Sequence, residues 1–435
     1  MPDPAILSPA GTRGPQSCSN DGGFCLDRLK PWRHLRKKSD QIEYIGSTGN
    51  GGSNRLNQNM PQNDTPIELP EPAVAYSRSE IRAEEVARSL SKFFYEQGCF
   101  TALSSFYPGY EPPMLPAARD PDFRFIRPQP EFGGLSVQAV GFELGKVADP
   151  SVHVYLTKMN RSVEKSLPKE VDGVPVKLSR MGRLTVCPGP LGGSHYFEHS
   201  GRPCCGSSSA PSSERYAGTL GCLIRIGEDA SSIYALSNNH VFAAGNHIPV
   251  GQPIMSPANI DSGPSQAPRH IANHSRIIEL RSGVVELVEV NRSDIAIAKL
   301  ATEDAVSSWQ GDQLRGYDTP SRSLPPVSGM LVKKFGRSSG YTTGTVEALS
   351  VSYLPLPYKC THFKALAWFE NVWTVRGIGG PFAIPGDSGS LVINELGDAA
   401  IGVVFAAGGD IGWIVPMTTV QKFFGGVQLV GGHHV

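Results

Sequence analysis

The segment Ile384-Pro385-Gly386-Asp387-Ser388-Gly389-Ser390-Leu391-Val392 sets one glycine two residues before a serine and another directly after it, ahead of an apolar run. Glycine lets the backbone bend sharply, so the N–H groups of Gly386 and Ser388 can converge beside the Ser388 hydroxyl. An acyl-transfer nucleophile needs that geometry: an exposed oxygen, with two donors waiting for the carbonyl oxygen it makes anionic. A serine is a poor nucleophile without a base, and the base needs an acid to fix its tautomer. Upstream, Ile233-Tyr234-Ala235-Leu236-Ser237-Asn238-Asn239-His240-Val241 reads as an apolar strand ending in a histidine. Between the two, Ser293-Asp294-Ile295-Ala296-Ile297-Ala298-Lys299-Leu300 opens an alternating strand with an aspartate. His247, His270 and His274 lie in loop-like sequence, and Glu286, Glu289 and Asp304 do not sit at the mouth of an alternating strand. His240 and Asp294 are therefore the base and acid expected to serve Ser388.

Histidine, aspartate and serine follow one another in one of the three orders that unrelated folds use for this chemistry. Asn238-Asn239-His240-Val241, Asp294-Ile295-Ala296-Ile297 and Gly386-Asp387-Ser388-Gly389 resemble the triad motifs of trypsin-like (chymotrypsin-fold) serine proteases, the first two especially those of the HtrA branch. Ala217-Gly218-Thr219-Leu220-Gly221-Cys222 and Gly336-Arg337-Ser338-Ser339-Gly340-Tyr341-Thr342-Thr343-Gly344 more closely resemble the narrow-leaf-type branch and its bacterial relatives. The resemblance spans residues 215–425. It implies a mostly β fold of two six-stranded antiparallel β-barrels that cleaves peptide bonds through an acyl-enzyme. It also implies that the Asp387 carboxylate turns inward to support the oxyanion loop. Ala400–Ala406 and Ile411–Pro416 would line the substrate channel, with Phe382 at the base of the specificity pocket and Phe405, Ala406 and Gly412 on its walls. A phenylalanine cannot pair a buried cation, so the residue before the scissile bond is expected to be small or apolar. Asp410 entering the pocket from the far side would reverse this.

The elements that must hold these residues occupy about half of a 435-residue chain, long enough for two folded units plus tails. The division expected is a disordered tail over 1–76, rich in Pro, Gly, Ser and Asn, then a helix and small α+β domain over 77–186. A flexible connector over 187–214, the protease domain over 215–425 and a C-terminal tail over 426–435 complete it. In the helix, Ser77 and Glu80 form a capping box, and Ala83, Val86, Leu90, Phe93 and Phe94 form an apolar stripe. Cys187, His195, His199, Cys204 and Cys205 in the connector are zinc-type ligands, but their spacing fits no closed site, so they are read as surface thiols and no metal or cofactor is expected. The Gly-Arg-Ser-Ser-Gly run lacks the Gly-Lys-Ser/Thr of a phosphate loop and reads as a tight turn, and Thr342 to Tyr353 reads as a strand pair with its turn glycine at Gly344.

Forty basic and forty acidic residues cancel, which argues against an electrostatic nucleic-acid binder. No apolar run approaches a membrane span, no secretory signal opens the chain, and eight cysteines then suggest free thiols. The expectation is a cytoplasmic (nuclear, if eukaryotic) endopeptidase acting on protein substrates and assembled as a homo-oligomer. The sequence does not choose whether the N-terminal unit positions substrate, restrains the protease or builds the oligomer. An enzyme held latent until triggered, its cleft covered by that unit or by the tail, is a further reading. The alternative is a protease fold kept as a binding scaffold without turnover.

Overall fold

The computed structural model describes residues 76–433 except Gly98, 101–134, Lys146, Arg183, 187–193, 284–288 and 360–363. The tail expected over 1–76 thus lies, but for Tyr76, outside the described residues. Helix α1 (Arg78–Glu96) starts at the expected box: Glu80 N–H donates to Ser77 Oγ at 3.2 Å, and Ser77 N–H to Glu80 Oε2 at 2.8 Å. Its buried stripe is Ala83, Val86, Ala87, Leu90 and Phe94.

Three strands follow, β1 (Val137–Phe142), β2 (Val152–Leu156) and β3 (Val174–Arg180), with helix α2 (Arg161–Ser166) between the last two. β4 (Ser208–Pro211), β5 (Cys222–Ile226), β6 (Asp229–Ser237), helix α3 (Asn239–Phe242), β7 (Pro253–Ser256), β8 (Arg269–Ile277) and β9 (Ala296–Leu300) build a curled antiparallel sheet in the order β5-β6-β9-β8-β7-β4. Then come β10 (Leu331–Gly336), β11 (Gly340–Ser350), β12 (Leu354–Lys359), β13 (Lys364–Phe369), β14 (Trp373–Gly377), β15 (Leu391–Asn394), β16 (Ala399–Gly408) and β17 (Ile411–Pro416).

Six of these close on themselves. β10 pairs β15, β15 pairs β16, β16 pairs β17, β17 pairs β14, β14 pairs β11, and β11 returns to β10, every pair antiparallel. The result is the mostly β, chymotrypsin-like double-barrel architecture, one barrel closed and the other a curled half-barrel. Apolar residues of both contribute to one core, including Cys222, Ile224, Leu236 and Ile297 from the first and Leu391, Val403, Phe405 and Trp413 from the second.

Several local expectations change. β1 pairs with β11 and with β2, which pairs with β3, so the N-terminal strands extend the sheet of the closed barrel. Residues 198–211, assigned to a flexible connector, form strands, and Ser207, Ser208 and Ser209 are buried. Their hydroxyls find partners: Ser207 donates to Phe197 O, Ser208 to Asp261 Oδ2 and Ser209 to Met255 O. Gly344 makes no turn. It lies inside the single long strand β11, where a Cβ would meet Arg376 O at 2.6 Å and the Phe382 ring at 2.7 Å. The β12–β13 hairpin was not anticipated at all.

Candidate active site

The residue expected to act as base lies just beyond β6, in the short helix α3 and not at the strand end itself. Asparagines fix this corner: Asn238 Nδ2 donates to Asp294 O at 2.7 Å, and Asn239 Nδ2 to Asn246 Oδ1 at 2.7 Å and to Ile278 O at 2.8 Å. Asp294 lies two residues ahead of β9, and β9 pairs with β6, so the two residues meet beside adjacent strands. His240 Nδ1 and Asp294 Oδ2 are 2.5 Å apart, and His240 N–H donates to Asp294 Oδ1 at 3.2 Å. Both side chains are buried. Because an ionised carboxylate only accepts, Nδ1 carries the proton and Nε2 is the basic nitrogen. Among the described residues Nε2 has no hydrogen-bond partner.

Ser388 follows a turn in which Asp387 N–H donates to Ile384 O at 3.0 Å, with Pro385 second and Gly386 third at φ +102°. That is a type II turn, and the positive φ is why glycine is needed there. Among the described residues the N–H groups of Gly386 and Ser388 have no acceptor, as donors kept for an oxyanion would. The Ser388 hydroxyl is nearly buried and its contact is Phe405 O at 3.4 Å, not His240 Nε2. For Ser388 to pass a proton to His240, the hydroxyl would have to leave that long contact.

The Ala217–Cys222 segment clamps this turn from the other sheet. Thr219 N–H donates to Ser388 O at 2.8 Å, and Thr219 Oγ1 to Gly386 O at 2.9 Å. Ser237 Oγ, three residues before His240, donates to Thr219 O at 2.7 Å. Gly389, at φ +98°, lets the chains meet; a Cβ there would lie 2.2 Å from Thr219 O.

Asp387 does turn inward. Its Oδ1 accepts the N–H groups of Ser338 and Ser339 at 2.9 and 3.0 Å, and its Oδ2 accepts Ile384 N–H at 3.0 Å and Ser339 Oγ at 2.7 Å. The Gly336–Gly340 run is thus a tight β10–β11 turn whose amides cradle an anion, the chain's own carboxylate. Lys334 Nζ, 3.2 Å from Oδ2, supplies the countercharge and was not foreseen. Burial alone would raise the Asp387 carboxyl, but Lys334 and these donors outweigh it and hold it below its ordinary value. Burial pulls Lys334 down from the usual ammonium range against the opposing attraction of Asp387.

Of the residues expected to form a specificity pocket, Phe382 is fully buried between Gly344 and Gly412; a Cβ at Gly412 would sit 2.7 Å from its ring. Phe405 instead turns its ring onto Phe369 of the hairpin, with centroids 5.0 Å apart. Ala406 is buried opposite Trp413. Asp410 is exposed at the β16–β17 turn.

The thiol and imidazole set in the connector does not converge, and no group of three possible ligands gathers among the described residues. Cys187 lies outside them. Cys204 and Cys205 are buried, not at the surface, and donate to Gly311 O and Ser307 O. Burial pushes the Cys204 thiol up to about 12. His195 stacks on Phe197 and His199 on Trp309.

No family model matches the chain, and no curated protein matches it. Solved structures do. Thermobifida fusca protease A is 16% identical, with 53% of this chain and 98% of that one covered at a TM-score of 0.35. For Cellulomonas bogoriensis chymotrypsin the values are 13%, 52%, 97% and 0.34, and for the Nocardiopsis protease 14%, 51%, 95% and 0.33. No helix among the described residues is long and apolar enough to cross a membrane.

Proposed function

We propose that the chain is a serine endopeptidase. His240 takes the Ser388 proton as Ser388 attacks a peptide carbonyl, Asp294 orients His240 and stabilises the imidazolium, and the Gly386 and Ser388 amides hold the oxyanion. The protonated imidazole then returns its proton to the leaving amine, and water repeats the sequence on the acyl-enzyme. The observation that carries this reading is the buried 2.5 Å His240–Asp294 contact, which leaves Nε2 as a base without a partner among the described residues. A scaffold without turnover has no use for that pair together with two unengaged amides. Ser388→Ala should lower peptide turnover by about 10⁴ to 10⁶. A purified alanine variant as fast as the parent overturns the reading.

Phe382, uncharged and packed under Gly412, supports cleavage after small or apolar residues. A peptide library dominated by Lys or Arg before the cut would refute that preference.

Latency belongs to the same reading. Beyond its last partner on β15, the strand β16 continues past Phe405, the residue that Ser388 touches. An extended peptide offering a carbonyl to Ser388 would add to that edge. The chain's own Thr185 is there: its N–H donates to Ala407 O at 3.0 Å, and Ala407 N–H to Thr185 O at 3.3 Å. Leu184 and Val186 bury their side chains in the main core. Substrate must displace this segment, which makes it an internal competitor delivered by the N-terminal strands.

A further inference from the structure

Asp294 Oδ2 takes a second donor besides the imidazole: the Tyr358 hydroxyl, at 2.8 Å. We propose that Tyr358 is a positioning residue for the hydrolysis above, its phenol pinning the carboxylate that orients His240; the inference rests on that reaction. Asp294 is fully buried, and a buried carboxylate needs donors from several directions to stay ionised and fixed. His240 supplies two of them through Nδ1 and its own amide, but those are the contacts the carboxylate is meant to control. Tyr358 supplies one independent of the histidine, and since an ionised carboxylate can only accept, the phenol donates.

The phenol is itself held firmly. Tyr358 belongs to β12, where Leu354, Leu356 and Tyr358 all bury their side chains in the main core. Its ring meets His240 edge-on with centroids 5.7 Å apart and stacks on Phe369 at 6.1 Å. Phe369 in turn lies against Phe405, whose carbonyl Ser388 touches. One aromatic column therefore contacts the residues around base, acid and nucleophile. The partner strand β13 is tied to the loop ahead of Asp294: Asn291 N–H and Nδ2 both donate to Trp368 O, at 2.8 and 3.0 Å, and Gly283 N–H to Leu366 O at 3.0 Å. The hairpin and the Asp294 loop form one unit, so the phenol and its acceptor keep their register. Among the described residues, Asp294 and Tyr358 are the titratable groups contacting the His240 ring.

Tyr358→Phe keeps the ring and removes one oxygen, which separates positioning from packing. Two readouts are taken on the full chain. One is inactivation of Ser388 by a fluorophosphonate, resolved into a maximal rate and a half-saturating concentration. The other is the low-field proton resonance of the His240–Asp294 hydrogen bond, identified by its loss in Asp294→Asn. Removal of the phenol should slow the maximal rate about tenfold at unchanged half-saturation, as expected for loss of a charge-assisted bond, and should move the resonance. Unchanged rate and resonance with a lower melting temperature would reduce Tyr358 to a packing residue. If the parent itself is not labelled, the protease reading fails, and the resonance alone still decides whether Tyr358 holds the carboxylate.

Discussion

Lys334 Nζ lies 3.2 Å from Asp387 Oδ2, and neither side chain reaches solvent. The pair joins β10 of the closed barrel to the turn that presents Gly386 and Ser388. A buried pair adds little net stability by itself, because desolvating both ions offsets their attraction. Removing one partner is another matter.

Lys334→Met leaves the Asp387 carboxylate buried without its cation. The expected loss is about 3–5 kcal/mol. Chemical denaturation measures it, and adding Asp387→Asn to the same chain should recover part of the loss. Equal stability of parent and Lys334→Met would show that the amides around Asp387 suffice without the cation.

The same carboxylate gives stability a pH signature. Its folded-state value lies below its ordinary one, so its contribution is complete above the unfolded value of about 4 and is lost as pH falls through the folded value. The urea midpoint of the parent should therefore exceed that of Asp387→Asn by a constant margin from neutral pH down to about 4, and the margin should shrink below it. A margin that persists unchanged into strong acid contradicts this assignment.

Occupation of the β16 edge by Thr185 predicts activation by displacement. Gly182 passes so close to the next turn that a Cβ would sit 2.7 Å from Gly409 N. Gly182→Val must push the segment outward and should raise peptide turnover, by about tenfold for each 1.4 kcal/mol by which it weakens the internal competitor. Hydrogen exchange at Thr185 and Ala407 reports whether the segment has moved; faster exchange there without faster turnover would refute the latency.

His240, Asp294 and Ser388 are picked out by short local signatures: an apolar run closing on a histidine, an aspartate opening an alternating run, and a serine framed by glycines. The mostly β fold comes with the family resemblance that those motifs carry. Residues acting across the fold left no such mark. Lys334 stands in Leu331-Val332-Lys333-Lys334-Phe335, where a lysine in a strand reads as a solvent-facing position. Tyr358 stands in Leu354-Pro355-Leu356-Pro357-Tyr358, whose prolines argue against a strand, yet the run forms a two-stranded hairpin with β13. Its acceptor is distant in sequence. Gly344 was misread for the opposite reason: glycine signals a turn locally, whereas here its missing Cβ admits the Phe382 ring. The serines of 207–209 fall in the segment expected to be a flexible connector, but each hydroxyl donates to an acceptor elsewhere in the fold.

The most direct test of the account is mass spectrometry of the intact chain and its peptides after treatment with a fluorophosphonate. A single adduct on Ser388, absent in His240→Ala and restored by no other serine, is the result predicted. Modification that spares Ser388, or that proceeds equally well without His240, would contradict it.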